Sequence, residues 1–445
     1  MARYLLAATA LPGHVLPILA VARYLVGLGH EVRVHTGSLF RTRAEATGAS
    51  FTPLLPGIDH DYRELDQLYP QRLRLPPGPA RIAFGLRHFF ADAMALQCEG
   101  LQRILDSGFD ADAIVTDTMF CGTLPLLLGE RSARPAIVAL GISALALSST
   151  DTAMFGSGLP PPATALQRQQ YQALQATVRR TVFGDVQRHF DHVLMQLGRP
   201  ALPGFFADAM FTLPDLYLQL TAEAFEYPRS DLPATVRFVG PLLAPPSRDF
   251  EPPPWWHTLD DGRTVVLVTQ GTLANENPHH LIVPTLQALA GMPHLHVIAT
   301  TGGPVPPEVS AAAPANARVV DFLPYDRLLP KVHVLVTNGG YGSVNHALSL
   351  GIPMAVAGST EEKPEIAARV AWSGAGINLR TGQPGSRAIA EAVHQLLGNP
   401  SYRQRARALQ EAFAGSDALA EIALALRGLH PAARPTPAAV PALCA

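Results

Sequence analysis

The chain has 445 residues, more than one hydrophobic core usually organises, which predicts two domains of roughly 200 residues each. Apolar residues make up 48% and charged residues 16%, and a formal net charge of -2 without a long basic run excludes nucleic acid as the main partner. Cys98, Cys121 and Cys444 are too few and too scattered for a disulfide framework, no C-x-x-C pair is present, and a cytoplasmic location is expected.

In chain order, Tyr4 to Thr9 reads as a short buried strand, Val15 to Leu28 as a helix ended by Gly29, and Glu31 to Thr36 as the next strand. Met1-Ala2-Arg3 before an apolar run suggests a signal peptide, but a single Arg and the direct passage into Pro12-Gly13-His14 argue against one. Ala113 to Thr116 and Ala136 to Leu140 are apolar runs of the parallel-sheet type, so the first half is α/β. The stretch from Val239 to Pro254 carries six prolines and reads as a linker. A second alternation then runs through Thr264 to Thr269, His296 to Thr300, Arg318 to Val320, Val332 to Val336, Met354 to Ala357 and Gly376 to Leu379. Helical segments Pro278 to Ala290, Glu362 to Trp372 and Ser386 to Leu397 lie between those strands, which makes a second doubly wound unit. Nothing reaches the roughly 18 to 20 apolar residues of a membrane span. Pro431 to Ala445, built mostly of Pro and Ala, reads as a frayed tail.

In doubly wound sheets, ligands bind at the carboxyl ends of the strands, so the loops there were weighed for chemistry. Asn338-Gly339-Gly340-Tyr341-Gly342-Ser343 leaves an apolar strand and opens a helix, the arrangement that cradles a phosphate or diphosphate on free amides and the helix dipole. His14 opens the helix after the first strand, where the positive helix end favours the neutral ring of a general base; a capping or packing histidine is the alternative. Asp117 follows a strand and is either the partner that orients His14 or a cap of the helix near Met119. Gly271-Thr272 is either a second phosphate-facing turn or a plain strand-to-helix turn. Ser359 and Glu362 form a capping box, while Glu362 and Lys363 also suit sugar hydroxyls. The D-x-D strings at Asp59 and Asp110 lack a phosphate signal, and His279-His280, His294 and His296 read as solvated loop histidines, so no metal is expected.

On the motifs Pro12-Gly13-His14-Val15-Leu16-Pro17, Gln270-Gly271-Thr272 and the segment from Phe322-Leu323-Pro324 to Arg369, nearly the whole chain resembles the family 1 glycosyltransferases of the GT-B fold, in their bacterial macrolide-type and UDP-glycosyltransferase-like branch. The resemblance implies two Rossmann-like domains facing a central cleft: an acceptor domain at 1–239, a linker at 240–262, a nucleotide-sugar domain at 263–400, helices at 401–430 packing back, and a flexible tail at 431–445. It implies His14 as catalytic base oriented by Asp117, Phe322 stacked on the donor base, main chain at Leu323 reading the base edge, and Gly340, Gly342 and Ser343 on the diphosphate with Gly271 and Thr272 opposite. Three positions depart from the family: Asn338 replaces a phosphate-binding His, His346 an acidic ribose ligand, and Glu362-Lys363 an Asp-Gln pair. The implied reaction is a metal-independent, inverting transfer from a UDP or TDP sugar, with no cofactor. The acceptor would be an apolar hydroxylated molecule of polyketide, macrolide, flavonoid or terpenoid type, met by Phe84, Phe89, Met119, Phe120 and Phe155. A non-catalytic helper of the same fold would be expected to lose His14 or the glycine cradle, and a lipid glycosyltransferase would want a basic docking face; Arg72, Arg74, Arg81 and Arg87 alone keep that reading open. A monomer or homodimer is expected.

Overall fold

The computed structural model describes residues 1–76, 78–243, 247, 249–271 and 277–429, together with their side chains except that of residue 65. Thr272 and the expected tail at 431–445 lie outside the described residues. The chain builds two parallel sheets. The first takes the order β3-β2-β1-β4-β5-β6-β7 from β1 (Arg3–Ala7), β2 (Glu31–Thr36), β3 (Ser50–Pro53), β4 (Ala113–Asp117), β5 (Ala136–Gly141), β6 (Leu216–Gln219) and β7 (Val236–Phe238). The second takes the order β10-β9-β8-β11-β12-β13 from β8 (Thr264–Thr269), β9 (Leu295–Thr300), β10 (Ala317–Val320), β11 (Val334–Thr337), β12 (Met354–Val356) and β13 (Gly376–Asn378). Central strands such as β4, β5 and β9 are buried along their whole length, as expected of a sheet covered by helices on both faces.

β3, β6 and β7 are strands the sequence reading did not identify. They are three or four residues long, and β3 and β7 pair on one side only, so each offers too short a pattern to stand out. The first helix runs Pro12–Gly27, starting three residues before the expected point; Gly29 ends it at φ 82°, where the N–H of His30 returns to the carbonyl of Leu25 at 3.1 Å. In the expected linker, Phe250, Trp255 and Trp256 pack against the core of the second half. The helix Pro400–Ala414 adds Ala406, Leu409 and Phe413 to that same core, whereas Ala418–Gly428 crosses to the first half and buries Ile422 and Leu426 there.

Each sheet has one point where the strand order turns back, between β1 and β4 in the first and between β8 and β11 in the second. Parallel register brings the loops after those strands together: Ala7 lies beside Thr116, and Thr269 beside Thr337. The crevice at such a point is where open α/β sheets bind ligands. Among the described residues no helix is long and apolar enough to cross a membrane.

His35 is fully buried on β2, its Nδ1 3.2 Å from the carbonyl of Thr52 and its ring edge-on to Phe120. Burial pushes its pKa down to about 4, against a weaker upward pull from the Thr52 carbonyl. The neutral ring therefore stabilises the fold above the unfolded value of 6.5, and that contribution is lost as pH falls towards 4. Denaturant titrations are expected to show roughly 2 to 3 kcal/mol less stability at pH 4.5 than at pH 7, in excess of the loss shown by a His35→Gln variant; equal losses in the two proteins would remove this histidine as the cause.

Candidate active site

Asp117 is the last residue of β4 and His14 the third residue of the first helix, so the β1–β4 pairing puts them side by side. His14 Nδ1 lies 2.7 Å from Asp117 Oδ1. The carboxylate is 1% exposed and already accepts the N–H of Thr9 at 2.7 Å and the N–H of Met119 at 2.8 Å. An oxygen surrounded by donors has no proton to give, so Nδ1 carries the hydrogen and Nε2 is left as the accepting nitrogen. Both uses weighed for Asp117 are met at once, since the same carboxylate caps the turn at Met119 and orients the ring.

The expected electrostatics of His14 need correction. Burial lowers its pKa, as the helix start was expected to do, but the neighbouring carboxylates, Asp117 foremost, together outweigh burial and the net shift is upward. Glu362 and Glu361, from the second half, pull in the same direction, which places their carboxylates close enough to act on the ring.

Across the molecule, Asn338 follows β11 and Gly271 follows β8. The Asn338 side chain donates from Nδ2 to the carbonyl of Gln270 at 2.5 Å, so one amide hydrogen ties the two turns together. Gly271 takes φ 72°, with Asn338 Oδ1 3.9 Å from where its Cβ would stand. Gly340 is the N-cap of the helix Tyr341–Ser349 and Gly342 lies in its first turn; a Cβ added at either meets nothing, which leaves the approach to the helix start open beside Ser343. Phe322, after β10, is 64% exposed, whereas the side chain of Leu323 is sunk in the core. His346 lies on the same helix against the ring of Tyr325, and burial lowers its pKa in spite of Asp326.

The segment after β12 differs from expectation. Its helix starts at Lys363 with Glu362 as an N-cap that makes no side-chain hydrogen bond, so the Ser359–Glu362 capping box does not form. The left-handed turn at Glu361, φ 56°, puts Ser359 three residues ahead of the cap position. Lys363 is buried and its ammonium is paired with the carboxylate of Glu361, with Thr360 Oγ1 at 3.4 Å.

On the first half, a hollow beside the His14 loop is lined by Leu54, Tyr62, Tyr69, Phe89 and Asp92, and Phe90 stands 6.5 Å from the His14 ring. Phe84 packs on Tyr69 and His88 behind this wall, and Met119 is half-buried beside Asp117. Phe120 is corrected to a core residue, since 1% exposure leaves no surface for a ligand. Phe155 is half-buried and packs across the divide on the core of the second half. Sequence reasoning also missed Asp92, which bridges His88 at 3.0 Å and His189 at 2.5 Å; the four-residue spacing from His88 to Asp92 at the end of its helix was the available signal. His296 is buried against Asp261 rather than solvated, and Asp59, Asp61 and Asp112 bond Ser38, Arg63 and the N–H of Arg3.

A family model described as the erythromycin biosynthesis protein CIII-like C-terminal domain matches residues 285–429. The chain is 43% identical over 429 residues to 4'-demethylrebeccamycin synthase of Lentzea aerocolonigenes, covering 96% of this chain and 99% of that protein. It is 36% identical to UDP-glycosyltransferase 2 of Phaeomoniella chlamydospora, over 94% of both chains. The crystal structure of the glycotransferase of kitacinnamycin superimposes with TM-score 0.71 at 19% identity, covering 96% of this chain and 98% of that one, a likeness of fold.

The geometry at His14 makes its titration a direct readout of the Asp117 pairing. NMR of the ring is expected to give a pKa above 6.5 in the wild type and a lower one in Asp117→Asn, where burial acts without the opposing carboxylate; an unmoved value would mean that other charges hold it.

Proposed function

The chain belongs to the family 1 glycosyltransferases of the GT-B fold, and we propose that it transfers a hexose from a UDP or TDP sugar to a hydroxyl of an apolar natural product, with inversion at the anomeric carbon. It is a glycosyltransferase with a nucleotide-sugar donor and a small-molecule acceptor. The observation that carries the finer reading is the 2.7 Å contact of His14 Nδ1 with Asp117, which leaves Nε2 as the acceptor of a proton. As the acceptor oxygen attacks the anomeric carbon, its proton passes to Nε2; the bond from that carbon to the diphosphate oxygen breaks, and its electron pair leaves with the nucleoside diphosphate. Asp117 holds the tautomer and stabilises the imidazolium that forms. Inversion follows from a single displacement.

The leaving diphosphate sits at the start of the helix Tyr341–Ser349, against Gly340, Gly342 and Ser343 with Gly271 opposite. There, backbone amides and the helix dipole meet the developing charge in the way a cation otherwise would. Phe322 offers its exposed ring to the base with main chain at Leu323 on the base edge, and Asn338 and His346 flank the phosphates and ribose. Glu362 and Lys363 read the sugar; because the ammonium is paired with Glu361, the turn presents carboxylate character to the sugar hydroxyls. Residues 1–239 hold the acceptor, with Phe84, Phe89, Met119 and Phe155 around it, and residues 263–400 hold the donor. The likeness to 4'-demethylrebeccamycin synthase supports a natural-product acceptor, and that to UDP-glycosyltransferases supports the donor class.

Mass spectrometry of reactions pairing UDP and TDP sugars with phenolic and macrocyclic alcohols is expected to show the gain of one sugar. His14→Ala should lower turnover by about 100- to 10,000-fold while nucleotide binding stays within a few-fold. Retained turnover would remove His14 as the base. Because only the neutral ring accepts a proton, kcat/KM should fall below an apparent pKa above 6.5, and Asp117→Asn should move that limb to lower pH. Changing Glu362-Lys363 to Asp-Gln should alter the ranking of donor sugars; an identical ranking would return the segment to a purely structural part.

A further inference from the structure

The loop between β5 and the helix Ala165–Thr181 belongs to the first half, yet at Gly156 and Gly158 it is tied to the second half by the side chain of Glu365. Glu365, the third residue of the helix Lys363–Trp372, accepts on a single oxygen, Oε1, the N–H of Gly156 at 2.8 Å and the N–H of Gly158 at 2.7 Å. Its second oxygen, Oε2, accepts from Arg369 at 3.0 Å, and Arg369 in turn donates to Glu226 Oε2 at 2.7 Å. Gly156 and Gly158 take φ 94° and 63°, a backbone that other residues rarely adopt, and a Cβ at Gly158 would stand 3.4 Å from the carbonyl of Pro364. The loop therefore folds closely over the first turn of the helix that begins at the sugar-facing residues. Phe155, adjacent to the first of these glycines, is pressed onto the core of the second half. Glu365 itself is 3% exposed and two residues past Lys363, too deep to be one more sugar ligand.

We propose that Glu365 is a positioning residue for the acceptor: by holding Gly156 and Gly158 it fixes Phe155 as a wall of the acceptor site, so that acceptor fit depends on a carboxylate supplied by the donor-side half. The assignment rests on the acceptor being bound in the cleft of a glycosyltransferase, as proposed above. Two amides accepted by one buried carboxylate form a charge-assisted pair, stronger than ordinary loop contacts. The nucleotide cradle at Gly340 to Ser343 lies on a different helix, so loss of the latch should weaken the acceptor more than the nucleotide.

The test combines amide hydrogen exchange with steady-state kinetics on Glu365→Ala, Glu365→Gln and Phe155→Ala. In Glu365→Ala the amides of Gly156 and Gly158 should exchange about tenfold faster or more, and the acceptor KM should rise about tenfold, by clearly more than the donor KM, with affinity for the free nucleotide within a few-fold of wild type. Glu365→Gln keeps a carbonyl oxygen for the two N–H groups but turns its NH2 towards the Arg369 guanidinium, so it should restore slow exchange and acceptor KM in part, ahead of Glu365→Ala in both, although it too loses the charge paired with Arg369. Phe155→Ala should raise the acceptor KM while leaving the exchange of the two amides slow, and it serves as the deciding variant if Glu365→Ala does not fold. An unmoved acceptor KM in an active wild-type background, or acceptor and donor KM moving together, would overturn the assignment. A wild type inactive towards every acceptor would overturn the substrate reading and this assignment with it, whereas slow exchange at Gly156 and Gly158 would still be seen.

Discussion

A guanidinium that is 1% exposed organises the junction on which the site depends. Taking such an ion out of water costs several kcal/mol, and the cost is offset only by close and complete pairing. Arg369 has that pairing: Glu226 at 2.7 Å, Glu365 at 3.0 Å, the carbonyl of Leu145 at 3.3 Å, and the face of Tyr227 at 4.3 Å. Burial lowers its pKa, yet the two carboxylates raise it further, so the charge is held. Arg229, 3.8 Å from Glu226, supplies a second cation, and two arginines then face two glutamates. Glu226 and Leu145 come from the first half and Arg369 and Glu365 from the second. Shifting one half against the other would expose unpaired buried charge, so the halves meet in one arrangement.

Weaker links follow the same seam. Gln219 at the end of β6 donates to the hydroxyl of Tyr341 at 2.7 Å, and Thr221 donates to the side-chain oxygen of Asn345 at 2.6 Å. Both partners lie on the helix Tyr341–Ser349, so the orientation of its glycine-rich start is set partly from the first half. The helix carrying Arg369 starts at Lys363, and its preceding residues Glu361 and Glu362 act on His14. His14 and the turn before Lys363 are thus aligned by interactions that touch neither.

The residues proposed for the site stand out in the sequence because their patterns are local. A glycine-rich turn between an apolar strand and a helix, a histidine after the first strand and an aspartate at the end of the fourth each declare themselves within a few residues. The misreadings at His14, His296 and Phe120 share a cause in neighbours distant along the chain, and the one at Ser359 has a local cause. His14 was judged by its own helix, although Asp117, 103 residues away, decides its charge preference. His296 was taken as solvated because Asp261, which bonds it, lies on another loop. Phe120 looked like acceptor wall until the sheet and His35 closed around it. Ser359 and Glu362 had the spacing of a capping box, but the turn at Glu361 moved the helix start beyond it.

By itself the sequence determined two parallel α/β units, because unbroken apolar strands alternating with amphipathic helices have few other ways to bury both faces of a sheet. It also singled out the strand-to-helix loops as the candidates for a site, because a parallel sheet puts every such loop at one edge. Only the tertiary structure decided which of those loops meet: the β1–β4 and β8–β11 pairings bring His14 to Asp117 and Asn338 to Gln270. It alone placed Glu226, Glu365 and Arg369 together. Glu365 and Arg369 are visible as a pair one helical turn apart, but a third partner 143 residues from Arg369 leaves no local signal, since ion pairing depends on distance in space and not along the chain.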